Sequence, residues 1–214
     1  MPQLIAMIIV VVGAMIYMFQ TFGGTGDKIE GIAQKTSIIT EINNVKTGVR
    51  LALKDLNLIR ATDSTVTGKV STLEGIAEAK VFDGAINDVM DTDGTTTKDT
   101  KNTYKAISFG GNESLEITLV LPTKAQATST ARPGLFVDFS KGRLANIKDF
   151  LEKQVTNDLD SLCAIDTHAT SATYNPLKAN GDISSPATAG TDTDIDGKFV
   201  LYCKDLPRGL IDDD

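Results

Sequence analysis

The stretch from Leu4 to Phe22 carries no charged side chain, and it constrains the fold more than any other feature of the sequence. A helix over these residues would be on the order of 28 Å long, close to the thickness of the hydrocarbon core of a bilayer. The β-branched residues in it would also suit a strand in water, but in lipid a backbone must satisfy its own hydrogen bonds, which favours a helix. The sequence therefore predicts a membrane-inserted N-terminal helix.

A glycine-rich segment follows the apolar stretch. Gly23, Gly24 and Gly26 lie close together, and glycine lowers helix stability by about 1 kcal/mol per residue relative to alanine. We expect these glycines to form a hinge. A nucleotide-binding loop is disfavoured, because no strand precedes them and the glycine–lysine spacing of a P-loop is absent.

Beyond the hinge, apolar residues recur at three- and four-residue steps from Ile29 to Ile59, with charged residues mainly between them. This periodicity predicts an amphipathic helix over residues 27–60 that buries one face in a core. We expect two units. Residues 1–26 would form the apolar helix and its joint, and residues 27–214 would form a globular head domain that includes the amphipathic helix.

The composition supports a folded head domain with an acidic surface. Apolar residues make up 41% of the chain and charged residues 23%, which is typical of globular proteins. The formal net charge of −7 repels phosphate backbones at long range, so nucleic acid is not expected as a partner from the bulk charge.

The later part of the chain mixes strand and helix patterns, which indicates an α+β fold. Alternating apolar residues and turn signals predict strands over residues 104–109, 114–121, 135–139 and 199–202. Pro133 places the third of these near a turn or an edge. We also predict a short helix near residues 81–90, an amphipathic helix over residues 144–162 and a long polar surface excursion over residues 166–198.

Cys163 and Cys203 are the two cysteines of the chain. Together with an N-terminal export or anchor segment, they suggest an oxidising compartment and a disulfide; two buried free thiols are the alternative. A bridge would enclose a loop of roughly forty residues, for which the chain-entropy model gives a stabilisation of roughly 4 kcal/mol.

In the order of these features the chain resembles the type IV pilins, in particular the type IVb branch. Those subunits begin, after removal of a leader, with an apolar helix that continues into an amphipathic half packed on an antiparallel sheet. A disulfide closes their C-terminal region. The resemblance implies a pilin-like α/β roll here, with the long N-terminal helix on an antiparallel sheet and the C-terminal region closed by Cys163 and Cys203.

The resemblance also implies a function, that of a structural, non-enzymatic subunit of an extracellular pilus-like filament. Its partners would be other copies of itself, the membrane before assembly and the pilus assembly machinery. The chain would be inserted in the inner membrane first and then lie on the cell surface. The filament core would comprise the apolar positions Leu4, Ile5, Ile8, Ile9, Val11, Val12, Met15, Ile16 and Phe19.

One position departs from the family pattern. Most pilins have a glutamate at the fifth mature position, thought to pair with the N-terminal amine of a neighbouring subunit, whereas this chain has Ile5. Assembly would then depend on apolar packing without that charge pair. The alternative function is a signal-anchored monomeric binding domain in the periplasm or on the cell surface.

The sequence Asp192-Thr-Asp194-Ile-Asp196-Gly has the alternating carboxylates that begin a calcium loop. The glutamate of an EF-hand is replaced by Cys203, so the alternatives are a different calcium loop or a plain acidic turn. No other cofactor is expected. His168 is the single histidine, which excludes a histidine-based metal cluster and gives little basis for a catalytic triad. Asn112 begins an Asn-Glu-Ser sequon, so it is a candidate for glycosylation.

Overall fold

The computed structural model describes residues 31–91, 99–180 and 196–208. The predicted apolar helix Leu4–Phe22, with its filament-core positions, and the hinge glycines Gly23, Gly24 and Gly26 lie outside the described residues. None of the helices in the described ranges has both the length and the apolar character needed to cross a bilayer. The described part is α+β, with a five-stranded antiparallel sheet and the predicted disulfide, so this fold class is confirmed.

The first described helix, α1, covers residues 31–54 and has one buried face. The fully buried apolar positions recur at three- and four-residue steps and comprise Ile38, Ile42, Val45, Val49 and Ala52. They share a core cluster with sheet residues such as Leu135 and Val137. The predicted amphipathic pattern is therefore confirmed for the described part of this helix.

The helix ends earlier than predicted, at residue 54 instead of about residue 60. Asn57 has a φ of 46°, in the left-handed region, which a right-handed helix does not contain. The apolar period of the sequence predicted that Leu56 and Ile32 are buried. Their side chains are instead 51% and 56% exposed, respectively. After the turn, Ile59 pairs with Val70 in an isolated parallel bridge.

Polar side chains on the buried side of α1 attach the helix to its neighbours. Glu41 accepts hydrogen bonds from the Tyr104 hydroxyl and from the Ser108 N–H, each at 3.0 Å. Lys46 forms an ion pair with Asp205 at 3.1 Å. Because a buried charge is costly unless it is paired, these contacts favour a single orientation of the helix on the sheet.

Two short helices follow, α2 over Leu73–Glu78 and α3 over Gly84–Met90. Thr72 and Asp83 are their N-caps, and each side chain accepts a hydrogen bond from a backbone N–H of the first turn. The sequence predicted α3 but not α2. A helix of 6 residues is too short to produce a recognisable apolar period.

Glu74 attaches α2 to the chain that enters the sheet. Its Oε2 accepts hydrogen bonds from the N–H groups of Thr100 and Lys101, both at 2.8 Å, and from the Thr100 hydroxyl at 3.0 Å. Burial alone would raise the pKa of Glu74, but the hydrogen bonds outweigh burial and lower the pKa to about 2. The carboxylate therefore stays ionised and holds this segment where the first strand begins.

The sheet has the strand order β1-β2-β3-β5-β4, and all of its pairs are antiparallel. Val137 in the central strand lies opposite Ile117 on one side and Phe199 on the other. The strands are β1 (Thr103–Lys105), β2 (Glu116–Val120), β3 (Gly134–Asp138), β4 (Cys163–Asp166) and β5 (Lys198–Cys203).

Two of the predicted strands differ from the structure, and β4 was not predicted. Ile107–Phe109, predicted as strand, forms a 3₁₀-helix that ends at Gly110 with a φ of 90°. A turn precedes Pro133, with the Ala131 N–H donating to the Thr128 carbonyl at 2.9 Å, but β3 lies in the middle of the sheet rather than at its edge. The missing N–H of Pro133 is tolerated because it precedes the first ladder residue.

A 3₁₀-helix, Gly142–Ile147, leads into the helix α4, Lys148–Leu159. Leu151, Val155 and Leu159 are its buried apolar residues. The prediction extended this helix to Leu162, which is instead 54% exposed. The chain turns after Leu159, so that β4 can start at Cys163.

The two faces of the sheet enter separate clusters. The inner core contains Leu135, Phe199 and Leu201 together with the buried faces of α1 and α4. The outer cluster contains side chains from the opposite face and from a covering loop, namely Val120, Phe136, Ala164, Tyr174, Ala179, Val200 and Tyr202. Since both faces are covered, every residue of β3 is buried.

Gly134 is required by the outer cluster. A Cβ at this position would lie 2.7 Å from the Tyr202 ring and 2.9 Å from a Val200 methyl group. We expect Gly134→Ala to lower the free energy of unfolding by about 1–3 kcal/mol, because Tyr202 is fully buried and has little space to move. Urea unfolding measures the change.

Gly84→Ala is the matched control. A Cβ at Gly84 meets no atom within 4 Å, and this residue is in a helix, where alanine is preferred. Equal stabilities of the two variants would contradict the tight packing at Gly134.

Candidate functional site

The region between the two cysteines is the candidate functional site, and we call residues 163–203 the disulfide-bounded region. Cys163 and Cys203 are bonded, 40 residues apart in sequence, and they lie opposite each other in the register of β4 and β5. The predicted disulfide is confirmed, and the alternative of two free thiols is wrong. Residues 163–180 and 196–203 of this region are described.

Asn175 organises the described loop of this region. Its backbone N–H donates to the Tyr202 hydroxyl at 2.7 Å, and its Nδ2 donates to Asp166 Oδ2 at 2.7 Å. Its Oδ1 accepts from the N–H of Leu177 at 3.2 Å and so caps the short helix α5, Pro176–Ala179. One residue thus connects the end of β4, the strand β5 and the loop that covers the sheet.

Tyr174 and Tyr202 form the aromatic part of the outer cluster. Their ring centroids are 5.8 Å apart in an edge-to-face arrangement, which suits the ring quadrupoles. Burial raises the pKa of both hydroxyls, so both remain protonated at neutral pH. The first part of the predicted polar surface loop therefore packs against the outer face of the sheet.

A polar pocket of about 220 Å³ opens in this loop. Its lining includes Asp166, His168, Thr170, Ser171, Thr173 and Asn175. The Asp166 carboxylate accepts hydrogen bonds from the backbone N–H of His168 and from Asn175, so it organises the loop. Among the described residues, no hydrogen bond joins the His168 imidazole to a hydroxyl or a carboxylate, so the geometry of a catalytic triad is not assembled there.

The candidate calcium ligands fall mainly outside the described residues, because Asp192 and Asp194 are not described. Asp196 is described, and its carboxylate accepts a hydrogen bond from the Lys198 N–H at 3.0 Å and lies 3.7 Å from the Lys198 ammonium group. Within the described ranges no group of three or more acidic, histidine or cysteine side chains is arranged to hold a metal ion. Calcium binding stays a prediction from the sequence.

Glu152 holds the chain where it returns to the sheet, and sequence reasoning missed it. The side chain is 2% exposed, and its Oε2 accepts a hydrogen bond from the Gly197 N–H at 2.7 Å. Burial raises the pKa of Glu152 to about 7, and the nearby charges of Asp196 and Asp149 act in the same direction. On the sequence it is one acidic residue of an amphipathic helix, with no signal of burial.

The sequon at Asn112 lies in an exposed turn after the 3₁₀-helix at Ile107–Phe109. The Asn112 Oδ1 accepts a hydrogen bond from the Ser114 N–H at 2.9 Å, whereas Ser114 itself is 2% exposed. Asn112 lies outside the disulfide-bounded region. Its glycosylation stays a prediction.

Comparison of the chain with known protein families, with curated proteins and with solved structures gave no match. The functional assignment therefore depends on the residues and contacts of this chain.

The disulfide is expected to stabilise the sheet end at which it lies. Replacing both Cys163 and Cys203 with serine should lower the free energy of unfolding by about 2–4 kcal/mol, because the unfolded chain loses a long closed loop. Urea unfolding with and without reductant measures this. The double variant has no disulfide, so it shows any effect of the reductant on the rest of the protein. Identical urea midpoints of oxidised and reduced wild-type protein would contradict the prediction.

Glu152 should make stability depend on pH. Its pKa is raised on folding, so its ionisation opposes folding, and the stability of the wild type should fall as pH rises from about 4.5 to about 7. Glu152→Gln should remove about 1–3 kcal/mol of this loss, since glutamine still accepts the Gly197 hydrogen bond. Thermal unfolding over this pH range measures the difference.

Glu113→Gln is the matched control for Glu152, because the Glu113 side chain is 60% exposed. Its pH profile should follow that of the wild type. If the Glu152→Gln profile also runs parallel to that of the wild type, Glu152 does not ionise as proposed.

Proposed function

We propose that this chain is the structural subunit of an extracellular type IV pilus-like filament that polymerises through its N-terminal hydrophobic helix. The observation that carries the proposal is the uncharged stretch Leu4–Phe22, followed by a chain whose helix α1 is amphipathic. An antiparallel sheet and a disulfide-bounded C-terminal region accompany that helix, in the order that pilins have.

The energetics of the apolar stretch favour self-association outside the bilayer. Each packed helix would remove on the order of 1,000 Å² of apolar surface from water, worth roughly 25 kcal/mol before the costs of association are subtracted. Copies related by a rotation that does not close would form a helical filament. The apolar stretch would then serve first as a membrane anchor and afterwards as the filament core.

The arrangement of the head domain suits this role. The inner core joins α1 to one face of the sheet, and the disulfide-bounded region covers the opposite face. With α1 directed toward the filament axis, the disulfide-bounded region would lie toward the outside, where its polar pocket would meet solvent or a partner. Ile5 would leave apolar packing as the main contact between neighbouring N-terminal helices.

The first test is direct observation of filaments. Material sheared from the cell surface should contain thin filaments by negative-stain electron microscopy, and this chain should be their main protein band. Filaments composed of another protein, or this chain recovered only as a membrane-bound monomer, would contradict the proposal. The second of these results would support the anchored monomeric domain, which the polar pocket in the loop favours.

A charge in the apolar stretch provides the second test. Val11→Glu should abolish filaments, because the carboxylate would have to be desolvated between packed helices. The head domain should remain folded, as shown by an intact Cys163–Cys203 disulfide and an unchanged thermal midpoint. Val11→Leu, the matched control, should assemble normally, and filaments formed by Val11→Glu would count against the proposal.

A further inference from the structure

Arg132 is a buried arginine that forms no ion pair with any of the described residues. Its side chain is 5% exposed, and its Nε is buried and has no hydrogen-bond partner. Among the described residues no carboxylate pairs with the guanidinium; the contact of this residue is made by its backbone N–H, which donates to the Tyr174 hydroxyl at 3.4 Å. Because a buried N–H group is costly when it makes no hydrogen bond, an acceptor beside Nε would be stabilising.

The position of Arg132 brings several donors together. It lies two residues before β3 begins, at the end of the sheet where Gly134 packs against Tyr202. The chain that leaves β5 passes through residues 204–208 at the same end, and Arg208 is close enough for its charge to act on Arg132. Tyr174 reaches this place from the outer cluster.

The charges near Arg132 leave an excess of positive charge. Burial lowers the pKa of Arg132, and the positive charge of Arg208 acts in the same direction, while Asp205 and Tyr174 oppose it. Asp205 also forms an ion pair with Lys46 at 3.1 Å, so its negative charge is shared between Lys46 and Arg132. An added anion would remove the imbalance.

We propose that Arg132 binds an oxyanion, a carboxylate or phosphate group, with the Tyr174 hydroxyl and the Arg208 guanidinium as further donors. The planar guanidinium matches the oxygen pairs of both groups. The Tyr174 oxygen accepts from Arg132, and within the described residues its own hydrogen has no acceptor, so it is available to the ligand. This inference does not depend on filament assembly.

The oxyanion has two sources that an experiment distinguishes. One is a free anion from solution. The other is the chain's own acidic segment Asp212–Asp214, which follows Arg208 in the sequence and lies outside the described residues.

Thermal unfolding of the full chain in one nonionic detergent tests the site. Chloride is replaced by phosphate or acetate at constant ionic strength, so that general screening is unchanged. For a free anion, the wild-type midpoint should rise saturably, by about 3–6 °C at about ten times the Kd. Arg132→Met should lose this rise, and without added anion it should be at least as stable as the wild type, because it removes a buried donor that has no hydrogen-bond partner.

Matched variants identify the residues responsible. Arg143→Met is the control, since the Arg143 guanidinium lies over the Phe109 ring at 5.3 Å and belongs to another contact. It should keep the full response. Arg208→Met should reduce the response, and because Arg208 is exposed this variant serves if Arg132→Met does not fold.

Neutralising Asp212, Asp213 and Asp214 to asparagine identifies the source. If the acidic segment occupies the site, the wild type should respond weakly to phosphate, and the neutralised variant should respond strongly and in an Arg132-dependent way. If neither protein shows a saturable response, or if Arg132→Met and Arg143→Met respond equally, the proposal is overturned.

Discussion

The strand β5 lies between β3 and β4, and its burial on both faces is the constraint on which the rest of the described structure depends. Phe199 and Leu201 enter the inner core, while Val200 and Tyr202 enter the outer cluster. A strand covered on both faces needs a second layer on each side. The helices α1 and α4 provide one layer, and the disulfide-bounded region provides the other.

The disulfide joins β4 and β5, the two strands between which the covering loop runs. The chain leaves β4, covers the outer face and returns through β5, so Cys163 and Cys203 come to lie opposite each other. Asn175 then connects the loop to both strands, and Glu152 holds the returning chain at Gly197. The described part of this loop, residues 167–180, is thereby held against the outer face of the sheet.

Buried polar groups determine how the layers are oriented, whereas apolar burial supplies most of their stability. Glu41 is hydrogen-bonded to Tyr104 and Lys46 is ion-paired with Asp205, so a rotation of α1 would leave both charged groups without their partners. Arg132 is the contrasting case, because its Nε is buried near the end of β5 and finds no hydrogen-bond partner among the described residues. In the filament that we propose, a fixed orientation of α1 would also determine which face of the head domain points outward.

Sequence patterns predicted the α+β class, the buried face of α1 and the strands β2 and β5. Each of these elements produces a local pattern, either a period of three to four residues or an alternation of apolar and polar residues. The disulfide could be predicted because the N-terminal apolar segment suggests an oxidising compartment and the chain has two cysteines. The strand β4, the cover formed by Tyr174 and the burial of Glu152 and Arg132 could not. A strand of 4 residues has too few positions to show a period, and a polar side chain is buried only through contacts with segments distant in sequence. The sequence by itself therefore determined the local secondary structure. The burial of polar side chains such as Glu152 and Arg132 was decided only by the packing of the layers in the tertiary structure.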